Sequence, residues 1–165
     1  MLIETLKENL VKAGFSRGII EKGQDSLPLE YAEQLKVWKK AVSREKPVTI
    51  VEGVSSVAKD VMIMCMALEF LKVGKSVQVV LDFDENSPPN AFALIVLFAD
   101  IQPNKLCQQL ATYLPKHVYS GRAVIIDCHN LSSLKAKYGD LFVSFILQRS
   151  VVVKTKQLEE TAIVI

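Results

Sequence analysis

The sequence contains few of the residues that mark specialised classes of protein. Its three cysteines, Cys65, Cys107 and Cys128, form no C-x-x-C pair, so neither a disulfide framework nor a metal site is expected. Only seven glycines and six prolines occur among 165 residues, which excludes a low-complexity or fibrous chain. The net charge of +2 excludes a strongly basic protein that holds nucleic acid by charge alone.

Long apolar runs are absent too. The longest, Val61–Leu68 and Ala91–Ala99, are much shorter than the roughly 20 residues needed to span a bilayer. The first residues lack the basic start and uninterrupted apolar run of a signal peptide. Half of the residues are nonetheless hydrophobic, which supplies a sizeable core. We therefore expect one compact domain, cytoplasmic, with reduced thiols and no contact with a membrane.

Short apolar runs and helical patterns alternate along the chain. Residues 61–73 are apolar nearly all round, as in a helix buried against a sheet, and this buries the Met62, Met64 and Met66 cluster. Residues 91–99 fit either a strand or a helix. Helices are predicted over residues 2–12, from Pro28 through Val42, from Pro103 through Leu114, and over 138–148, with a loop over 14–27 and His117 also in a loop. Strands are predicted over residues 48–51, 76–81, 123–126, 151–153 and 162–165.

This alternation predicts an α/β fold, with a mostly parallel sheet flanked by helices. We expect an N-terminal helix and loop over residues 1–27 and the α/β domain over residues 28–165. Ligands of such sheets bind at the carboxyl ends of the strands. The predicted ends are Glu52-Gly53, Asp82, Asp127 and Lys154-Thr155.

The segment GVSSVAKD at 53–60 follows a strand and precedes a helix, where a phosphate-binding loop belongs. That loop reads G-x-x-x-x-G-K-[ST], with backbone N–H groups around the phosphates and the hydroxyl on Mg²⁺. Gly53 and Lys59 stand at the required spacing. Ala58 replaces the second glycine and Asp60 replaces the hydroxyl residue, which places negative charge beside a phosphate. The segment is therefore interpreted as a degenerate phosphate-binding loop.

The segment AVIIDCHN at 123–130 has the form of the second acidic motif of ATPases that carry this phosphate-binding loop. Asp127 fits the residue that helps to hold Mg²⁺. Cys128 stands where the catalytic glutamate would be and cannot act as a carboxylate base. For Asp127 alone, a strand end whose carboxylate caps a turn is the simpler alternative.

Several segments together resemble the ATPase domain of bacterial replicative-helicase loaders of the DnaC/DnaI type and the related IstB transposition helpers, an AAA+ P-loop family. EYAEQLKVWKK followed by PVTIVEGVSSVAKD resembles their helix, first strand and phosphate loop, and ALEFLKVGKSVQVV resembles the next helix and strand. AVIIDCHNLSSLKAKYGDLFVSFILQR resembles their acidic strand and following helix, and SVVVKTKQLEE resembles the strand that ends in a polar sensor residue, near Thr155 or Lys156. The resemblance covers roughly residues 28–160.

The resemblance implies ATP hydrolysis in a helical assembly, contact with single-stranded DNA and binding to a replicative helicase. The hydroxyl residue and the catalytic glutamate are missing, so hydrolysis is not expected. The chain also ends soon after the sensor strand, so we expect a P-loop core truncated at its C-terminus. The prediction is a pseudo-ATPase with no catalytic residues and at most weak binding of ATP and Mg²⁺. Any nucleotide would contact Gly53, Lys59, Asp60, Asp127 and Thr155.

The expected partner is a protein: a replicative helicase, a loader or another ATPase, in DNA replication or mobile-element maintenance. Single-stranded DNA is a further candidate partner, for which the basic residues are Lys36, Lys39, Lys40, Arg44 and Lys46. On the pattern alone these basic residues indicate a solvated helix face.

Two other interpretations remain open: an active small P-loop ATPase with unconventional residues, and a RecA-like structural subunit of another complex. A phosphotransferase using Asp82 and Asp84 as nucleophile and acid is disfavoured, because the threonine, lysine and second acidic pair are missing. Solvated acids at a strand end explain Asp82, Asp84 and Glu85 better.

Overall fold

The computed structural model describes residues 2–155. Seven α-helices and five β-strands follow one another along this part of the chain. The helices are α1 (Leu2–Ala13), α2 (Arg17–Lys22), α3 (Leu29–Ala41), α4 (Val57–Lys72), α5 (Asn104–Tyr119), α6 (Leu131–Tyr138) and α7 (Asp140–Leu147). The strands are β1 (Val48–Glu52), β2 (Val77–Val79), β3 (Ala93–Val96), β4 (Ala123–Cys128) and β5 (Ser150–Lys154).

The strands form one parallel sheet in the order β2-β3-β4-β1-β5. Alternate side chains of each strand point to opposite faces, so the sheet divides the core in two. Val51 and Ile125 pack with α1 to α4 on one face, whereas Ile50 and Ile126 pack with α5 to α7 on the other. The prediction of a parallel sheet flanked by helices is confirmed.

Helix α4 lies between the sheet and the N-terminal helices. Met62, Met64 and Met66 are all at most 3% exposed, which confirms that this apolar helix is buried. Leu10 of α1 and Ile20 of α2 belong to the same buried cluster. The residues before position 28 therefore contribute to the core that covers α4.

One prediction of local structure is wrong at the N-terminal side. Residues 14–27, expected to be loop, contain α2 and a 3-10 turn over Gln24–Ser26. Helix α2 has only six residues and begins where the Ser16 hydroxyl accepts a hydrogen bond from the Ile19 amide. Such a short helix shows almost no periodicity in the sequence.

The helix predicted over residues 138–148 is present as α7, but the chain breaks at Gly139, and Tyr138 belongs to α6, which the sequence did not predict. The φ of +93° at Gly139 is a conformation that other residues rarely adopt, and it separates α6 from α7. The ambiguous run over residues 91–99 holds strand β3, followed by a turn in which Phe98 has φ +50°. The strand expected over residues 76–81 is limited to β2, and the one expected over 162–165 lies outside the described residues.

His117 lies inside helix α5 and not in the loop that the sequence predicted. It is 3% exposed, and its Nε2 lies 3.0 Å from the Phe92 carbonyl oxygen and 3.1 Å from that of Ala123. Both partners are acceptors, so Nε2 carries the proton. Burial lowers the pKa of His117. The neutral ring thus ties α5 to the beginnings of β3 and β4.

Candidate functional site: a closed phosphate-loop region

The carboxyl ends of the parallel strands meet at one edge of the sheet, where such sheets bind their ligands. Strand β1 ends at Glu52, and its register places Glu52 opposite Cys128 of β4 and Lys154 of β5. Gly53, Lys59, Asp127 and Thr155 therefore come together at this edge. The structure brings these predicted residues together. We call this group the closed phosphate-loop region, because the Lys59 ammonium already has protein partners there.

The connection between β1 and α4 covers residues 53–56, and amides at its two ends are bonded within the protein. Helix α4 begins at Val57, two residues before Lys59, and the Ser56 hydroxyl accepts a hydrogen bond of 3.1 Å from the Lys59 amide. The Asp60 amide donates to the Ser56 carbonyl, and the Gly53 amide donates to the carbonyl of Cys128. The amides of Gly53, Lys59 and Asp60, at the two ends of the connection, are thus already bonded within the protein and are not directed at an anion.

The ammonium group of Lys59 is buried at the centre of this region. Lys59 is 1% exposed, and its Nζ lies 2.7 Å from the Gly53 carbonyl, 2.8 Å from the Cys128 carbonyl and 2.7 Å from Asp127 Oδ1. A lysine ammonium has three donors. All three have a protein partner, so none is left for a phosphate in this arrangement.

Asp127 joins three segments of the chain. Its Oδ1 pairs with Lys59 of α4, and its Oδ2 accepts a hydrogen bond of 2.9 Å from the Phe98 amide after β3. The carboxylate thus balances a buried charge and also caps a turn. The turn cap is the simpler alternative that the sequence offered for this residue.

Gly53 and Thr155 are packed too closely for any side chain at position 53. A Cβ atom at Gly53 would lie 1.9 Å from Thr155 Oγ1, and Gly53 has φ +152°. The amide and the hydroxyl of Thr155 both donate to the Glu52 carbonyl, at 2.8 and 3.1 Å. Thr155 therefore holds the end of β5 against the turn that follows β1. Lys156, the other candidate sensor residue, lies outside the described residues.

Asp60 is half-buried in the first turn of α4. Burial raises the pKa of its carboxyl, and the negative charge of Asp127 raises it further, although Lys59 opposes both effects. A carboxylate at the position of the usual hydroxyl adds negative charge to an edge that already carries Asp127.

Sequence reasoning missed a second buried acid, Asp100. It is 7% exposed in the 3-10 turn Ala99–Ile101 after β3, and its Oδ2 accepts a hydrogen bond of 2.8 Å from the His129 amide. Asp100 and Asp127 line a cavity of about 220 Å³ beside Ser55 and the exposed ring of Phe98. The available signal was an apolar run ending in Asp at Asp100, the same pattern that identified Asp127.

The residues of this edge do not fit a nucleotide with its magnesium ion. Within residues 2–155 no group of three or more His, Cys, Asp or Glu side chains is arranged to hold a metal ion. The oxygens of Asp127 are engaged by Lys59 and the Phe98 amide, and position 60 offers no hydroxyl. Burial raises the pKa of the Cys128 thiol to about 12, so this residue is no general base at neutral pH.

The basic residues predicted as a nucleic-acid face are all exposed. Lys36, Lys39 and Lys40 lie on α3, and Lys39 forms an ion pair of 2.7 Å with Glu69. Arg44 and Lys46 lie in the connection to β1, at the opposite edge of the sheet from Lys59. Arg44 and Lys46 therefore do not border the closed phosphate-loop region. Asp82, Asp84 and Glu85 are exposed, as expected for solvated acids.

Comparisons with known proteins identify the fold. No family model matches the chain, and neither does any curated protein sequence. Among solved structures, the DnaC helicase loader matches with a TM-score of 0.61 at 12% identity, over 86% of this chain and 100% of that chain. A protein described as a primosome component of Streptococcus pyogenes serotype M3 matches with a TM-score of 0.63 at 11% identity, over 87% of this chain and 91% of that one.

The part of the chain seen in the structure contains no helix long and apolar enough to cross a bilayer. The parallel sheet and the helix that follows β1 are consistent with both structural matches. The chain has a parallel α/β fold similar to that of the DnaC helicase loader.

Proposed function

We propose that this protein is a non-catalytic, helicase-loader-like protein that acts by binding a partner protein in DNA replication or mobile-element maintenance. The partner would be a replicative helicase, a true loader or another ATPase. The fold, which the chain shares with the DnaC helicase loader, supports this class of partner. One observation carries the non-catalytic part: the ammonium of Lys59 is buried and bonded to Gly53, Cys128 and Asp127.

Nucleotide binding would disrupt contacts that stabilise the fold. To reach a phosphate, Lys59 would have to leave Asp127, which would then be a buried carboxylate without its counter-ion. Removing one partner of such a pair costs about 3–5 kcal/mol. Opening the turn between β1 and α4 would also break the Ser56 cap on the helix. A nucleotide would have to offset both costs before it gained any affinity.

Thermal unfolding with and without ATP and Mg²⁺ tests the non-catalytic part. A ligand at 100 times its dissociation constant stabilises a protein by about 2.7 kcal/mol, which is readily measured. We expect no change in the unfolding midpoint. A Mg²⁺-dependent increase would instead favour the alternative of an active small ATPase. The variant Ala58→Gly/Asp60→Ser, which restores the letters of the motif, is expected to remain unresponsive because Lys59 stays paired.

Size-exclusion chromatography with the purified replicative helicase of the host tests the partner. Co-elution as a complex supports the proposal. Separate elution of both proteins at micromolar concentration contradicts this choice of partner and favours a structural subunit of another complex.

Single-stranded DNA is a second candidate partner, supported by a cleft at the amino edge of the sheet. Arg44, Lys75 and Arg122 line it together with Phe70 and Phe92. The Lys75 ammonium lies 4.3 Å from the centre of the Phe92 ring. Cations that contact phosphates beside rings that stack on bases are the means by which proteins bind single strands.

Fluorescence anisotropy with labelled oligonucleotides at increasing salt tests this second candidate. Binding that weakens steeply with salt, and that is lost in Lys75→Glu/Arg122→Glu, is expected. Lys135→Glu, at an exposed lysine on α6 that does not line the cleft, is the matched control. The absence of salt-sensitive binding at low ionic strength would rule out the DNA contact.

A further inference from the structure

We propose that the groove between α5 and α7 is a docking site for an amphipathic helix of the partner protein, with an acidic residue beside its apolar stripe. One wall consists of Ala111, Pro115 and Tyr119 of α5, and the other of Leu141, Phe142 and Phe145 of α7. The inference rests on the proposed function, since it assigns that function's protein partner to one surface.

The groove is unusually apolar for an exposed surface. Leu141 is 89% exposed and Tyr119 is 71% exposed, and both border it. Helix α7 already buries Phe142, Val143 and Ile146 against the core, so its outer apolar residues are not required there. Contiguous exposed apolar residues rimmed by polar ones mark interaction sites. Two helices that leave an apolar groove between them accept a third helix through residues spaced at i, i+4 and i+7.

The charge at the Arg149 end of the groove indicates the sign of the partner residue that would lie there. The Arg149 guanidinium lies 4.1 Å from the centre of the Phe145 ring and 5.4 Å from that of Tyr119. It donates one hydrogen bond, to the Phe145 carbonyl at the end of α7. Among residues 2–155 it has no carboxylate partner, and Lys116, one turn before Tyr119, has none either. A guanidinium has five donors and binds carboxylates in a bidentate fashion.

The rings keep Arg149 in place at the end of the groove. Tyr119 and Phe145 are themselves in contact, with ring centres 5.2 Å apart. A guanidinium positioned by two rings loses little freedom when a carboxylate binds, which favours it as an anchor of an interface. An acidic residue at the end of the partner's apolar stripe would meet this cation while leucines fill the groove. An acidic helix is therefore favoured over a basic one.

A designed peptide of about 18 residues, five turns of helix, serves as the probe. It carries leucines at i, i+4 and i+7 and glutamates beside them, and a matched peptide has lysines in place of the glutamates. Chemical shifts of ¹⁵N-labelled protein report where each binds. We expect the acidic peptide to shift amides of α5 and α7 selectively, and to bind at least about tenfold more tightly than the basic one.

Variants identify the contacts. Leu141→Glu and Arg149→Glu are expected to weaken binding of the acidic peptide at least about tenfold, and Arg149→Glu is expected to favour the basic peptide. Leu29→Glu is the control. It changes an exposed leucine on α3 that does not line the groove, and it should leave the affinities for both peptides unchanged. Equal binding of both peptides, or shifts outside α5 and α7, would overturn the proposal.

The same variants separate this inference from the proposed function. If the helicase complex forms with the wild-type protein and also with Leu141→Glu/Arg149→Glu, the groove is not the docking site although the partner is correct. If no helicase complex forms but the acidic peptide binds the groove, the groove stands and the choice of helicase fails.

Discussion

Replacing Lys59 by methionine should destabilise the protein severely, although the same position in a nucleotide-binding loop mainly serves the ligand. Methionine keeps the apolar stem but removes the ammonium. The change deletes the hydrogen bonds to the carbonyls of Gly53 and Cys128 and leaves Asp127 buried with only the Phe98 amide as partner. Removing one member of a buried ion pair costs about 3–5 kcal/mol.

Urea unfolding followed by circular dichroism measures this loss. With a slope of about 2 kcal/mol per molar urea, the midpoint should fall by about 2 M. Lys39→Met is the matched control: Lys39 also forms an ion pair, with Glu69, but its side chain is 66% exposed. Such a surface pair contributes less than about 1 kcal/mol.

A double variant keeps the test decisive if Lys59→Met does not fold. Lys59→Met/Asp127→Leu removes both charges, so no orphaned carboxylate remains, and it should be more stable than the single variant. A loss below about 1 kcal/mol for Lys59→Met, similar to that of Lys39→Met, would refute the structural function of Lys59. It would show that the lysine is free, and the alternative of a nucleotide site would regain support.

Three further predictions concern the fold around this edge and the core. Burial lowers the pKa of His117, so its contribution to stability is complete above the usual pKa of 6.5 and is lost as the pH falls towards the pKa of the folded state. The unfolding midpoints at pH 7.5 and 5.5 should therefore differ less in His117→Gln than in the wild type. Gly53→Ala should lower the free energy of unfolding by about 1–3 kcal/mol in calorimetry. Adding Thr155→Ala should recover part of this loss, because it removes the clashing hydroxyl. No recovery would contradict the close packing of Gly53 and Thr155. Trp38→Phe removes the 2.7 Å hydrogen bond from the indole to the Thr49 hydroxyl and should cost about 1–3 kcal/mol in urea unfolding; an unchanged midpoint would show that this buried bond contributes nothing.

The order of strands and helices was predictable from the sequence because each strand is a short apolar run between polar turns. Buried parallel strands carry this signal on both faces, and so does α4, which lies between the sheet and the N-terminal helices. The break at Gly139 was not predictable, because Tyr138, Phe142 and Ile146 continue one helical spacing across it. His117 was misplaced since Pro115 is expected to end a helix, yet the helix continues through it.

The residues of the candidate site were predictable from the sequence, but the ion pair and hydrogen bonds among them were not. The spacing of Gly53 and Lys59, and the acid after an apolar strand at Asp127, led to the correct edge of the sheet. The ion pair between Lys59 and Asp127 depends on β4 lying directly beside β1, which no local pattern reveals. Asp100 was missed for a different reason: residues 91–99 fitted either a strand or a helix, so no strand end was predicted there.

The buried ion pair also changes what the lysine of this motif signifies over evolutionary time. Once its ammonium holds β1, α4 and β4 together, any substitution at position 59 is opposed by loss of the folded state. Descendants of this chain would therefore retain the lysine without any selection for nucleotide binding. The letters of a nucleotide-binding motif can thus be retained as a folding requirement, independently of any ligand.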